Sequence, residues 1–423
     1  MTTPNCIITG DPITPENNSR AHVIPSALGG RLKPWDILTK AANTLLGDKI
    51  DLPLIQAFQS LMTLIDGSRD RGANQPMRMT DSNGRALILE FGEPLKLAKA
   101  EYRETLMAGG ELAVQIDARN LKELRTLLGR VKAKLPGFDI DDAVKHAVTA
   151  RIWPDGLLHG RLHIGPGVVF PAIFVATSIF AAYHSLAPHP ELRSFVSTFD
   201  PDEPDLPPDT FFFMPDRSWL SAPGEATHIV ALLGNAASGK MLVCVRLFGV
   251  MTVAVVLPYP DAHNRVESYA VDVLTGNEVA ATVDLKKLEG IPWRATHQNG
   301  DPDLQQALTA GLDKLLALAR ERMHRAEVVM LVNRAFGPDE TKPITGQDVG
   351  RLVAEMASFV LHEWERPSTT MADRDSDVLG FDTLCGRLEK AVRPSERVAY
   401  RAVVRSEQQR MQDGLVQARQ SGG

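Results

Sequence analysis

His22 is the side chain whose neighbours best suit it to act as a chemical base. It is followed by a β-branched pair and then by Pro25. The residue before a proline is pushed out of the α region, so this segment is expected to be extended and stiff. An imidazole changes protonation state near neutral pH and can accept a proton from water. The spacing therefore predicts a histidine held in a defined direction at the end of a short strand.

The segment after His22 predicts a chain reversal and a helix. Gly29 and Gly30 allow a turn with positive φ angles. The apolar residues between Ile37 and Ile50 then recur at helical spacing, and Asn43 falls on a different face of that helix. We therefore expect a strand that carries a base to be folded over a helix that carries an amide.

Three short sequences in this region resemble one group of HNH endonucleases. They read CIIT at residues 6–9, SRAHVIPSALGG at 19–30 and LTKAAN at 38–43. The group reads C-x-x-C, then S-x-E-H-I-I-P-x-x-L-G-G, then C-x-x-C-N. The resemblance implies a ββα-metal unit that hydrolyses the phosphodiester bonds of nucleic acid, DNA in the first place. It also implies His22 as the general base and a divalent ion, Mg²⁺, Mn²⁺ or Zn²⁺, held partly by Asn43.

The chain departs from the group's pattern at several ligand positions. The group's acidic residue before the histidine is Ala21 here. The four zinc-knuckle cysteines correspond to Cys6, Thr9, Thr39 and Ala42, and a structural zinc site needs four nitrogen or sulfur ligands. We therefore predict that the unit holds no structural zinc. The carboxylates close in sequence that could replace the missing ligand are those of Glu16, Asp36, Asp48 and Asp51.

The overall charge gives no attraction to nucleic acid. The chain has 423 residues and a formal net charge of −6, whereas duplex binding depends mostly on lysine and arginine that neutralise phosphates. Any contact with DNA or RNA must therefore be local. The cations within the N-terminal unit are the candidates, although scattered cations are more commonly a solvated surface: Arg20, Arg31, Lys33, Lys40 and Lys49.

Composition and termini indicate a cytoplasmic protein. The three cysteines lie far apart and form no disulfide framework of the kind found in small secreted domains. The N-terminus lacks the basic and apolar segments of a signal peptide. Residues 168–187 carry no formal charge and approach the length of a membrane span, but we interpret them as a buried core helix and expect no membrane partner.

The chain as a whole is predicted to be α+β with three parts. Residues 1–79 form the HNH-like ββα unit with one further amphipathic helix. Residues 80–300 form an α+β domain of unknown role, with a predicted hairpin turn at Asn83-Gly84 and an antiparallel meander after residue 227. Residues 301–423 read as three helices, at 304–325, 346–365 and 396–412, and the second begins with a weak capping box at Thr345 and Asp348.

A near-match to the phosphate-binding loop G-x-x-x-x-G-K-[ST] lies at residues 234–241. Its last position is Met241, which lacks the hydroxyl that binds magnesium, and the following residues read as a strand instead of a helix. We therefore predict a β-hairpin loop and no nucleotide cofactor.

The sequence is consistent with three functions. The first is a bacterial-type HNH-like endonuclease that uses His22 as base. The second is a catalytically inactive HNH-derived protein that binds nucleic acid or another partner after losing the acidic ligand at Ala21. In the third, residues 80–423 sense a signal that controls the N-terminal unit.

Overall fold

The computed structural model describes residues 4–93, 95–107, 112–148, 158–160, 162, 164–213, 219–288, 302–336, 345–364 and 371–421. They form an α+β fold whose sheets are all antiparallel, which confirms the predicted class. The chain divides into two compact units. The first contains Met1–Thr80, Gly84–Trp153 and His159–Arg322, and the second contains Asp81–Asn83, Pro154–Leu158 and Met323–Gly423.

The N-terminal segment of the first unit runs strand, strand, helix. Strand β1 (Asn18–Ser19) pairs antiparallel with β2 (Leu38–Thr39), and helix α1 (Lys40–Leu46) follows β2 directly. A π-helical turn at Gly47–Asp51 joins α1 to α2 (Leu52–Leu64). Pro53 has no N–H for the helical ladder, and a wide turn before it accommodates that loss.

The next part of the first unit contains two small antiparallel sheets and two helices. Strands β3 (Met77–Thr80), β4 (Ala86–Leu89) and β5 (Lys96–Leu97) form one sheet, and β6 (Glu101–Leu106) pairs with β7 (Leu112–Asp117). The β3–β4 pairing confirms the predicted hairpin at Asn83-Gly84. Helices α3 (Leu121–Lys134) and α4 (Ile140–Lys145) follow, and the Asn120 side chain caps α3 by accepting from the Glu123 N–H.

A six-stranded sheet forms the centre of the first unit. Helices α5 (Pro166–Tyr183) and α6 (Leu192–Thr198) precede it. Its strands are β8 (Thr210–Phe212), β10 (Thr227–Asn235), β11 (Lys240–Leu247), β12 (Met251–Pro258), β13 (Arg265–Asp272) and β14 (Glu278–Val279), in the order β14-β13-β10-β11-β12-β8. Strand β9 (Leu220–Ser221) pairs separately with β15 (Thr282–Val283). Gly234 pairs with Met241 across the β10–β11 hairpin, so the phosphate-loop near-match is a hairpin as predicted.

The two faces of this sheet pack into different cores, because successive strand residues point to opposite sides. One face joins a core that also contains α5 and the buried residues of the N-terminal strand–strand–helix segment, and Phe58 of α2 stacks on Phe248 at 5.5 Å. The other face packs against Phe211, Phe213 and Trp219. Buried residues on both sides of the predicted boundary at residue 79, up to Ile65 and from Val169 onward, therefore belong to one core. Whether residues 1–79 fold alone stays a prediction.

Helix α5 is the one described helix that is long and apolar enough to cross a membrane. The structure buries 72% of its 18-residue window among other residues of the protein. A mostly buried core helix passes the same test of length and composition, so this finding is weak support for a span.

Helices make up nearly all of the described part of the second unit. Helix α7 spans Pro302–Phe336 and begins in the first unit, whereas α8 (Gly346–Trp364), α9 (Met371–Ala391) and α10 (Arg397–Ser421) belong wholly to the second. The predicted capping box is confirmed, because the Asp348 N–H donates to Thr345 Oγ1 and the Thr345 N–H donates to Asp348 Oδ2. Helix α9 has no counterpart in the sequence prediction. It contributes Phe381 and Cys385 to the core between α8 and α10.

Candidate functional site

The N-terminal segment is organised around the turn that follows His22. The Ser26–Leu28 helical turn ends at Gly29, whose φ of +90° is favourable for glycine. A Cβ on Gly30 would overlap the carbonyl oxygen of Ile24, so this position also needs glycine. The sequence prediction of a reversal at these two residues is confirmed, and the turn sets the direction of the segment that carries His22.

His228 fixes this turn to the central sheet. It is fully buried on β10; its Nε2 atom lies 2.7 Å from the carbonyl oxygen of Leu28, and its Nδ1 accepts from the Phe248 N–H at 3.1 Å. These partners define one neutral tautomer, with the proton on Nε2. Burial lowers the pKa of His228 to about 4, although the bond to Leu28 opposes this shift. The imidazole is therefore a neutral structural cross-link.

The four positions that correspond to knuckle cysteines meet in space around Cys6. The Thr39 hydroxyl lies 3.8 Å from the Cys6 Sγ, and it accepts from the Ala42 N–H at 3.3 Å. Burial raises the pKa of the Cys6 thiol, but hydrogen bonds from the Thr9 side chain and from backbone groups outweigh burial and leave the pKa below its ordinary value. Cys6 is the one member of this set with a sulfur or nitrogen side-chain ligand.

An arginine holds the Cys6 turn in place. Arg193 of α6 donates from Nε to the Ile7 carbonyl at 3.1 Å and from Nη2 to the Cys6 carbonyl at 3.4 Å. Gly10 follows with a φ of +80°, and its backbone approaches the same guanidinium. Hydrogen bonds and packing thus stabilise the conformation of a turn that a zinc ion organises in the group it resembles.

His22 lies beside a cluster of charged side chains. Its Nε2 is 3.4 Å from Asp70 Oδ2, which is beyond the usual hydrogen-bond length, and it has no hydrogen-bond partner among the described residues. Lys33 Nζ contacts the same Asp70 oxygen at 2.5 Å, and Arg31 Nη1 contacts Oδ1 at 3.1 Å. Arg31 also donates to Ser68 Oγ at 2.7 Å. A single carboxylate therefore joins a histidine and two cations.

The cluster determines the protonation of both titrating groups. Burial lowers the pKa of His22, with a further lowering from Lys33, and Asp70 opposes both effects only in part. The Lys33 ammonium, with help from Arg31, lowers the pKa of Asp70 to about 2 although partial burial opposes this. At neutral pH His22 is uncharged and Asp70 is ionised. Because Nε2 faces the carboxylate, we assign the proton there, which leaves Nδ1 as the basic atom.

The predicted metal ligands lie in different environments. Asp36 is exposed and accepts from Asn18 at 2.6 Å, and Asp48 is exposed on the π-helical turn. Burial raises the pKa of Asp51 to about 7, so this carboxyl group is partly protonated at neutral pH. The Asn43 side chain has no hydrogen bond to His22 in the described part of the chain. Ala21 is buried, so a carboxylate introduced at that position would have no contact with solvent.

The divalent ion that the resemblance implies stays a prediction. Within the described ranges no group of three or more His, Cys, Asp or Glu side chains could hold a metal. Asp70, the carboxylate beside His22, already carries two cations at 2.5 and 3.1 Å. A metal ion there would be repelled by both side chains.

The predicted nucleic-acid-binding cations have different environments. Arg31 and Lys33 belong to the Asp70 cluster, and Lys40 donates to the Glu16 carbonyl at 2.7 Å. Arg20 stacks over the ring of Trp35 at 4.3 Å, and half of the Trp35 surface is exposed. Two of the five predicted cations therefore lie in the Asp70 cluster, and a third forms an exposed pair with an aromatic ring.

Comparisons with known proteins do not assign the chain to a family. No family model matches it, and no curated protein and no solved structure is similar to it. The resemblance to HNH endonucleases therefore stays a prediction.

Asp70 is the site residue that the sequence analysis missed. It lies 48 positions after His22 in the connection between α2 and β3, between Arg69 and Arg71. No periodicity marks such a residue, and an aspartate between arginines resembles an ordinary solvated surface. The loop is brought to the site because Ser68 N–H donates to the Val273 carbonyl at the end of β13.

Replacing Gly30 by alanine is expected to destabilise the first unit by about 1–3 kcal/mol or more, because the added Cβ meets backbone that cannot move aside. Urea unfolding followed by the tryptophan fluorescence of the chain measures this. Gly47→Ala is the matched control: its Cβ would meet no atom within 4 Å, so it should stabilise the helix by about 0.5–1 kcal/mol. Equal effects at the two sites would contradict the packing argument.

Proposed function

We propose that the N-terminal segment is an HNH-like phosphodiesterase unit that hydrolyses nucleic acid, DNA in the first place, in the cytoplasm. The observation that supports this most is the environment of His22. A neutral imidazole in the connection between the two strands of the strand–strand–helix segment lies next to a carboxylate that also contacts two cations. A free base beside net positive charge suits a reaction in which water attacks an anionic phosphodiester.

The reaction needs one proton acceptor and one proton donor. Water gives a proton to Nδ1 of His22, and its oxygen forms a bond to phosphorus. The bond between phosphorus and one sugar oxygen breaks, and that oxygen leaves with the electron pair and takes a proton from solvent. His22 returns its proton to solvent afterwards. The chain's residues supply the base and its orientation.

The divalent ion remains an expectation from the resemblance. When bound in the nucleases of this group it stabilises the charge on the phosphorane-like transition state and the leaving oxygen. Asn43, the predicted ligand, lies on α1 without a described contact to His22.

A second candidate function is nucleic-acid binding without hydrolysis. The pairing of Arg20 with the exposed Trp35 ring favours it, since a guanidinium on an aromatic face offers a stacking surface for an unpaired base and a charge for a phosphate. Trp35→Ala should then weaken binding to single-stranded DNA, whichever of the two functions is right.

A cleavage assay with the full chain tests the proposal. Purified protein is incubated with supercoiled plasmid, with single-stranded DNA and with RNA, in buffers containing Mg²⁺, Mn²⁺, Zn²⁺ or EDTA. An activity that nicks or shortens the nucleic acid, and that co-purifies with the wild-type chain, supports the phosphodiesterase. Retention of DNA in a mobility-shift assay without cleavage in any buffer would favour the binding protein instead.

A further inference from the structure

Arg31 and Lys33 carry more charge than Asp70 can neutralise. The carboxylate is the one acidic group in contact with them among the described residues, so the cluster has a net charge of +1 while His22 is neutral. Arg71 adds positive potential, as its effect on His22 shows. Buried Nε atoms of Arg31 and His22 have no hydrogen-bond partner in the described part of the chain. The cluster thus carries surplus positive charge on the Arg31 and Lys33 side chains, which are 25% and 26% exposed.

The geometry is rigid for a set of long side chains. Asp70 contacts both cations, and Ser68 fixes the guanidinium of Arg31 at 2.7 Å. Ser68 is itself tied to β13 through the Val273 carbonyl at 2.7 Å. Lys33 and His22 approach the same oxygen of Asp70, so an oxygen atom bound by Lys33 lies near the imidazole. Preorganised donors of this kind stabilise developing negative charge without rearrangement.

We propose that Arg31 and Lys33 form the phosphate-binding subsite of the His22 site, held in position by Asp70, and that their charge takes the place of the divalent ion of HNH nucleases. The inference rests on the proposed function in taking a nucleic-acid phosphodiester as the ligand. Lys33 and Arg31 bind its non-bridging oxygens, and Asp70 is a positioning residue that does not touch the substrate.

Phosphate binding can be measured without any cleavage. The His22 ring protons are followed by NMR while inorganic phosphate is added at constant ionic strength. We expect saturable shifts in the wild type, a loss of affinity of about tenfold to a hundredfold in Lys33→Met, and partial recovery in Lys33→Arg. Lys122→Met removes an exposed cation on α3 of the same unit and should change nothing. A response that is equally weak in the wild type and in Lys33→Met would overturn the inference.

The pH titration of His22 separates positioning from simple support of the fold. Lys33 lowers the pKa of His22 and Asp70 raises it. Lys33→Met should therefore move the His22 titration to higher pH, and Asp70→Asn should move it to lower pH. If Lys33 and Asp70 only stabilised the loop, the two substitutions would not shift the His22 titration in opposite directions. Shifts in the same direction would contradict the described cluster.

The cleavage assay distinguishes failure of the inference from failure of the proposed function. We expect cleavage to persist in EDTA and to fall about tenfold to a hundredfold in Lys33→Met. Cleavage that needs a divalent ion and is unchanged in Lys33→Met overturns the inference and leaves the phosphodiesterase intact. Phosphate binding that depends on Lys33, in a chain that cleaves nothing, supports the subsite and rejects the phosphodiesterase.

Discussion

His22→Gln is expected to lower the initial rate of plasmid cleavage by about a hundredfold to ten-thousandfold. General-base catalysis contributes this range, and glutamine cannot accept the proton of the attacking water. The fold should survive the change, because the imidazole's closest polar contact is the 3.4 Å approach to Asp70. Rates are compared at equal protein concentration, with circular dichroism and urea midpoints as checks of folding.

A histidine outside the cluster provides the control. His146 at the end of α4 is exposed and bonds only within its own helix in the described structure. His146→Gln should cleave at the wild-type rate. Undiminished cleavage by His22→Gln would place the chemistry elsewhere in the chain.

The pH dependence of cleavage should follow the neutral form of His22. Burial and Lys33 lower the pKa of His22, and Asp70 and Arg71 are the other charged groups that act on it. The rate is therefore expected to rise with pH, and the midpoint of the rise should lie below the ordinary histidine pKa of about 6.5. An increase that continues well above pH 7 would indicate a different base.

His228→Phe is expected to destabilise the first unit at pH 7 by about 2–4 kcal/mol. The substitution leaves the buried Leu28 carbonyl and the Phe248 N–H without partners, each at a cost of about 1–3 kcal/mol. His228 holds the turn that directs His22 against the central sheet, and loss of this link also releases that turn. Urea unfolding at fixed temperature measures the difference.

This difference in stability should shrink in acid. The folded-state pKa of His228 is about 4, below the unfolded value of about 6.5. The unfolded chain therefore binds the proton first, and the wild type loses up to about 3 kcal/mol as the pH falls from 6.5 to 4. The Phe variant has no such group and loses nothing through it.

Asp51 acts in the opposite sense over the same pH range. Its folded-state pKa is raised to about 7, so the folded state binds the proton first and gains stability as the pH falls from 7 to 4. The test must therefore compare wild type and His228→Phe at each pH instead of reading either curve alone. A difference that stays constant between pH 4 and 7 would show that His228 is not the buried neutral group described.

Several elements of the fold could be predicted because their signals are local. Four elements each depend on residues within a few positions: the Asn-Gly turn between β3 and β4, the hairpin at residues 234–241, helix α2 and the cap at Thr345. Helix α9 was missed because its apolar residues do not follow one regular face, and packing against α8 and α10 stabilises it instead.

The residues of the candidate site also fall into two groups, those with a local sequence signal and those that only tertiary contacts bring to the site. The sequence by itself determined the turn at Gly29 and Gly30, the position of His22 beside it and the incomplete set of knuckle cysteines, since residue type and spacing specify each of these. Only the tertiary structure decided which groups His22 meets. Asp70, Arg193 and His228 reach the N-terminal segment from positions 48 to 200 residues away, through loop and sheet contacts that leave no local pattern. The carboxylates Asp36, Asp48 and Asp51 were proposed as ligands from their closeness in sequence alone, and side-chain direction, which closeness in sequence does not specify, determines which groups meet.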